Sequence, residues 1–184
     1  MARPAQTEEV KNHKKESEGL TIVGASARHY YGFQSNCRRI YRVTSLTFSR
    51  QLTIEWAHCD PAGIVFNPRF FEFFDTNTWM LFEKALGVKP QDLAATYNIF
   101  SIPLVDARAN FLKPSRFGDT VDVMSRVSAF RRSSFSVEHR IVNKGETAVK
   151  GEEVRVWAAR DTADPDKITS ATIPAEVIAC FGNS

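Results

Sequence analysis

The sequence predicts an α+β domain in which one long helix is wrapped by a curved antiparallel sheet. Three observations carry this. From Arg69 to Leu86 neither glycine nor proline interrupts the chain, and Gly87 closes the segment. That stretch is unusually aromatic (Phe70, Phe71, Phe73, Phe74, Trp79, Phe82), with apolar residues on more than one stripe, so other structure must cover it on most sides. One strand-like segment precedes it and about four follow, separated by turn residues. At 184 residues the chain suits one packed domain and is short for two.

Residues 1–46 read as an N-terminal extension. The first nineteen are polar and mixed in charge, which predicts disorder. TIVGASARHYYG, from Thr21, reads as a short strand and a glycine turn; its lone GxxA is too weak a pattern to assign a nucleotide. The domain is expected over 47–184. TFSRQLTIEWAHCD reads as a strand leading to a turn at Asp60-Pro61-Ala62-Gly63. Asn67-Pro68 then offers a side chain able to cap a helix and a proline suited to its first position.

After the helix, Pro90 to Tyr97 predicts a second, short one. Strand-like segments follow: SIPLVDARANFL, DTVDVMSRVSAF, SSFSVEHRIVN and TAVKGEEVRVWAAR. In the second, Val121, Val123, Ser125 and Val127 share one face, and Asp122, Met124 and Arg126 the other. Asn143-Lys144-Gly145-Glu146 predicts a hairpin turn, and Pro174 to Phe181 a terminal helix.

Composition removes several classes of function. The net charge of +3 is too small to argue for nucleic acid or an anionic membrane surface. No run reaches the roughly 18 apolar residues of a spanning helix, and the N-terminus has no apolar signal region. Cys37, Cys59 and Cys180 are odd in number and far apart, which argues against disulfides or a zinc site and suits a cytoplasmic protein. No spacing of His, Cys or carboxylates suggests a metal.

The stretch CDPAGIVFNPRFFEFFD resembles the signature of the 4-hydroxybenzoyl-CoA thioesterase family, which has the hotdog fold. The similarity runs from about Thr47 to Phe181 and includes PLVDARANFLKPSRFGDTVDV and FRRSSF. It implies an acyl-CoA thioesterase acting on an aromatic or medium-length acyl group. Coenzyme A is then part of the substrate and no further cofactor is expected. It also implies a homodimer or homotetramer, with the active site between subunits.

The resemblance makes Asp60 the catalytic carboxylate and puts a carbonyl-polarising backbone amide at Asn67, with Gly63 beside it in the turn. Elementary chemistry agrees. A thioester carbonyl needs an attacking oxygen, which Asp60 supplies as nucleophile or as base for water. It also needs donors for the developing negative charge, and the first N–H groups of a helix are such donors. Gly63 lets the chain turn with either sign of φ. Composition alone reads Asp60 as an ordinary Asp-Pro turn; the surrounding stretch favours the catalytic reading. Cys59 and His58 are neighbours in an extended segment, so their side chains point apart and a dyad is disfavoured.

The family often has an acidic residue near the acyl group where this chain has Asp75; the plain alternative is a solvent-facing helix residue. Glu72 reads as surface charge. Arg131 and Arg132 fall where the family holds the phosphates of coenzyme A, and guanidinium groups match phosphate geometry. Two departures stand out. Ser133 replaces a third basic residue, and Phe66-Asn67 stand where relatives specific for hydroxybenzoyl groups carry aromatics. Phe66 is assigned to the acyl pocket, while most helix aromatics and Trp79 are read as core. Two other readings compete: a hotdog hydratase or dehydratase, which usually pairs a histidine with an acid, and an acyl-CoA-binding protein without turnover.

Overall fold

The computed structural model describes residues 41–42, 46–164 and 166–182. The expected extension over 1–46, including the segment from Thr21, lies outside these apart from Tyr41, Arg42 and Leu46. The elements in chain order are β1 (Tyr41–Arg42), β2 (Thr47–Thr53), a 3-10 turn (Trp56–His58), α1 (Asn67–Leu86), a second 3-10 turn (Pro90–Asp92), α2 (Leu93–Tyr97), β3 (Leu104–Phe111), β4 (Thr120–Phe130), β5 (Ser134–Asn143), β6 (Glu146–Val156), β7 (Ala158–Arg160), β8 (Ile168–Ser170) and α3 (Ala175–Cys180).

β1 to β6 form one antiparallel sheet. β4, β5, β6 and β3 lie side by side, and both β1 and β2 pair with β4 at the other edge. β7 and β8 form a separate ribbon. The expected inward face of β4 is buried at Val121, Val123, Ser125 and Val127. A bulge between Val127 and Ala129 then shifts the alternation, so that Phe130 is buried too. Bulges bend the strand that carries them, and those in the β3–β6 and β5–β6 pairs add to the curvature around α1. The outer face is charged, with cross-strand pairs Arg126–Glu138 and Arg108–Glu152.

Two expected elements differ. The segment before Asp60 is not strand throughout. β2 ends at Thr53, and a 3-10 turn intervenes because His58 Nδ1 accepts the Glu55 N–H at 3.0 Å. The last long strand is divided at Trp157 into β6 and β7, although the Trp157 N–H still donates to the Ser133 carbonyl in register with the β5–β6 pairing. The 143–146 hairpin is as expected, with Lys144 and Gly145 both at positive φ and Asn143 opposite Glu146.

α1 packs across the sheet, and its core has two apolar halves. Toward the N-terminus, Phe70, Phe73 and Phe74 meet Ile54, Val65, Val121, Val123, Ile141 and Val149. Toward the C-terminus, Leu81 and Phe82 meet Phe130, Phe135, Trp157, Val177 and Phe181. Between them lies a buried polar belt: Asn77 and Thr78 of α1, Ser125, His139, Glu153 and Arg155 of the sheet. Gly151 admits α1 most closely, since a Cβ there would stand 2.4 Å from the Phe74 ring.

Candidate active site

The turn at Asp60 is built as a small closed hairpin. Ile54 is anchored to the loop before β4, donating its N–H to the Asp119 carbonyl and accepting that of Gly118, each at 2.8 Å. Beyond the 3-10 turn, Asp60 N–H reaches the Ile64 carbonyl and Phe66 N–H the His58 carbonyl, both at 2.9 Å, with Cys59 bridged to Val65. Gly63, at φ 72, donates its N–H to the Asp60 carbonyl. The return limb is stitched to the 115–118 loop: Val65 N–H to Ser115, Phe117 N–H to Gly63, and Ile64 bridged to Arg116. The exposed Trp56 and Phe117 rings meet edge to face at 5.8 Å beside it.

Asp60 is partly exposed at the tip of this hairpin. Its Oδ1 accepts the Ala62 N–H at 2.8 Å, which is the ordinary turn role. Among the described residues its Oδ2 has no partner. The chain then enters α1, but not as the sequence implies. Phe66 is the N-cap, Asn67 the first helical residue and Pro68 the second, and no side chain caps the helix. Asn67 therefore does not cap. Being helical itself, it presents its backbone N–H, for which the described residues supply no acceptor. Gly63 has no amide to offer, because Asp60 occupies it. Phe66 is 53% exposed at the mouth of the turn.

His58 and Cys59 form no dyad: both turn to Glu55, the imidazole to its N–H and the thiol to its carbonyl at 3.6 Å. Glu72 pairs with Arg69 on the surface. Arg131 and Arg132 occupy the bend between β4 and β5, bonded to Ser136 and Thr172 hydroxyls and, among the described residues, without a carboxylate partner. They lie at the far end of β4 from the Asp60 hairpin. Eleven residues of strand amount to roughly 35 Å when fully extended. The turn residues are thus brought together, and the arginine pair is not.

The sequence reading missed the polar belt and its link to Asp75. Asp75 Oδ1 accepts Arg155 Nη2 at 2.6 Å, and Arg155 Nε reaches Glu153 Oε2 at 2.9 Å. Thr78 Oγ1 donates to the same Glu153 oxygen at 3.0 Å, and His139 Nε2 stands 3.4 Å from it. Burial alone pushes the Glu153 carboxyl up, but the contacts from His139 and Arg155 outweigh it and hold the group at about 2. His139 Nδ1 lies 2.7 Å from Ser125 Oγ, which also accepts from Asn77. This Ser–His–Glu chain has the connectivity of a catalytic triad, yet Ser125 is fully enclosed and Phe74 stacks on His139 at 4.5 Å, so no substrate reaches it. The inward positions of Ser125 between Val123 and Val127, and of His139 between Val137 and Ile141, were the available signal. Among the described residues no group of His, Cys, Asp and Glu could hold a metal ion, and no helix is long and apolar enough to cross a membrane.

Comparison with known proteins agrees with this architecture. The family model of the thioesterase-like superfamily matches residues 54–181. The 4-hydroxybenzoyl-CoA thioesterase of Pseudomonas sp. (strain CBS-3) is 25% identical over 138 residues, covering 72% of this chain and 95% of that protein. The solved structure of that enzyme superposes with a TM-score of 0.66 at 24% identity, over 73% of this chain and 98% of the other. A gentisyl-coenzyme A thioesterase superposes with a TM-score of 0.61 at 25% identity, over 74% and 100%. The chain belongs to the thioesterase-like superfamily, as a thioester hydrolase built on the hotdog fold.

Proposed function

We propose that the chain hydrolyses acyl-CoA thioesters to free acid and coenzyme A, with a 4-hydroxybenzoyl-like aromatic or medium-length acyl group. Asp60 either attacks the carbonyl carbon itself, breaking the C–S bond to release the coenzyme A thiolate and leaving a mixed anhydride that water hydrolyses to the free acid, or takes a proton from a water that attacks in its place and displaces the thiolate. The Asn67 N–H and the positive end of the α1 dipole receive the carbonyl oxygen as it becomes negative. A donor of this kind contributes about 3 kcal/mol to the barrier. Gly63 shapes the turn, and Phe66 flanks the acyl group. The observation that carries the reading is the Asn67 amide, without an acceptor among the described residues, seven residues beyond an acid whose second oxygen is also open.

Arg131 and Arg132 hold the phosphates of coenzyme A. Their separation from Asp60 within one chain means that a second copy supplies them, so the working unit is at least a dimer. β3 supports this. Among the described residues it is an edge strand, bonded on one side only to β6, with Leu104 and Phe111 exposed and Leu112 exposed just beyond it. Light scattering should therefore report a dimer or tetramer.

The test is release of free thiol from benzoyl-, hydroxybenzoyl-, phenylacetyl- and straight-chain CoA esters. Steady release that Asp60→Asn lowers at least about a hundredfold, with the fold kept, is the expected result. A hydratase or a pure binder releases none.

A further inference from the structure

We propose that Arg155 is a positioning residue for the acyl end of this site. It fixes the Asp75 carboxylate as a preset hydrogen-bond acceptor, so that acyl groups carrying a donor such as a hydroxyl are preferred to unsubstituted ones. The proposal rests on the reading that Asp75 faces the acyl group.

Asn67, Phe71 and Asp75 stand at i, i+4 and i+8, a single line along one side of α1. Asp75 is about 12 Å along the axis from Asn67, and helical side chains lean back toward the N-terminus. A ring-bearing acyl group with its carbonyl at Asn67 points its far substituent along this line.

The Asp75–Arg155 pair is unusual in its burial. The Arg155 side chain is 2% exposed and that of Asp75 50%. A surface carboxylate paired with a surface arginine gains little order, because both chains are mobile and solvated. Here the cation cannot move. Its Nε is held by Glu153 at 2.9 Å, its Nη1 points to the Ile102 carbonyl at 3.4 Å, and only Nη2 is directed outward, to Asp75. Glu153 is itself tied to α1 through Thr78. The guanidinium plane is thereby set by three elements, and it sets Asp75.

Stability does not account for this. Apolar packing in place of a buried ion pair is commonly as stable or more so, and apolar packing fills the core on both sides of the belt. One guanidinium also serves two carboxylates, so the outer end keeps excess negative charge. Asp75 Oδ2 has no partner among the described residues. A fixed, negatively charged acceptor open to the surface favours a neutral donor and repels an anion.

The test uses the purified full chain and compares kcat/KM for 4-hydroxybenzoyl-CoA with that for benzoyl-CoA. Arg155→Lys keeps the charge but cannot hold three partners in one plane. The preference for the hydroxylated ester should fall at least about tenfold, through a higher KM for that ester. Asp75→Asn, at a half-exposed position, should lower the preference similarly and serves if the Arg155 variant folds poorly. Combining the two should add little to either, since both break one device. An unchanged preference in Arg155→Lys, or equal losses on both esters in Asp75→Asn, would overturn the proposal. If the parent releases no thiol from any ester, the hydrolase reading fails separately, and the same preference is read as a ratio of dissociation constants by calorimetry; a ratio insensitive to Arg155→Lys then refutes the positioning role.

Discussion

Gly151→Ala should loosen the seat of α1, and the size of the effect follows from three distances. A Cβ at residue 151 would meet Phe74 Cε2 at 2.4 Å, Cζ at 2.7 Å and Cδ2 at 2.9 Å. Ordinary carbon contacts lie at about 3.5–4.0 Å, so the ring must retreat by about 1 Å. It has nowhere to go: Phe74 is wholly buried and stacks on His139, which is opposite Gly151 in the β5–β6 register. Overpacking of this kind costs about 1–3 kcal/mol. For a chain of this size that lowers Tm by roughly 2–12 °C. The same push moves the helix that carries Asn67, and a misplacement of about 1 Å is worth up to about a hundredfold in turnover. Thermal unfolding by circular dichroism gives the first quantity, and thiol release well below both melting points gives the second. Gly151→Ala with Phe74→Leu should recover part of the Tm loss, because the smaller side chain vacates the contact. A Gly151→Ala variant that melts within 1 °C of the parent and turns over at the parental rate would refute the close seating of Phe74 on the sheet.

Other predictions concern charge. Replacing Arg131 and Arg132 by Ala should raise KM for CoA esters with little change in kcat; an unchanged KM moves the phosphate site elsewhere. The acid limb of stability should lie between about pH 4.5 and 2. Asp119 is held at about 2 by the Arg116 N–H, Lys144 and Asn143, and Glu153 lies at about 2 through the contacts that outweigh its burial. A carboxyl whose folded pKa is depressed contributes stability above its unfolded pKa and loses it as pH falls through the folded one. Urea midpoints should therefore be flat in these two groups above pH 5 and fall below pH 4.5, and Asp119→Asn should remove part of that slope. Asp60→Asn should melt like the parent, because an amide oxygen still accepts the Ala62 N–H.

Much of the fold was legible because its boundaries are chemical. Gly87 takes the left-handed conformation that ends α1, and Gly145 with Lys144 makes the hairpin. The β4 alternation is the buried face. The Asp60 turn was legible as a contiguous stretch, with a glycine at position 63 free to take either sign of φ; the structure gives it the positive one. What escaped depends on register. Asn77, Ser125, His139 and Glu153 come from four elements, and no local spacing predicts that pairing sets Ser125 opposite His139. Glu153 and Arg155 are buried while Val154 between them is less so, an inversion of the usual preference that the bonds to α1 explain. The capping role assigned to Asn67 failed by one residue, since helix entry is decided by the hydrogen bonds of the preceding hairpin.

The three tryptophans sit at three depths, and this makes the protein's own emission spatially coded. Trp157 is 1% exposed, Trp79 is partly covered, and Trp56 is 63% exposed beside Phe117 at the mouth of the Asp60 hairpin. Iodide should quench the red edge of the spectrum first, leaving a blue component that changes only on denaturation. A ligand settling over the hairpin then reports itself, without a label, as protection of the red edge alone.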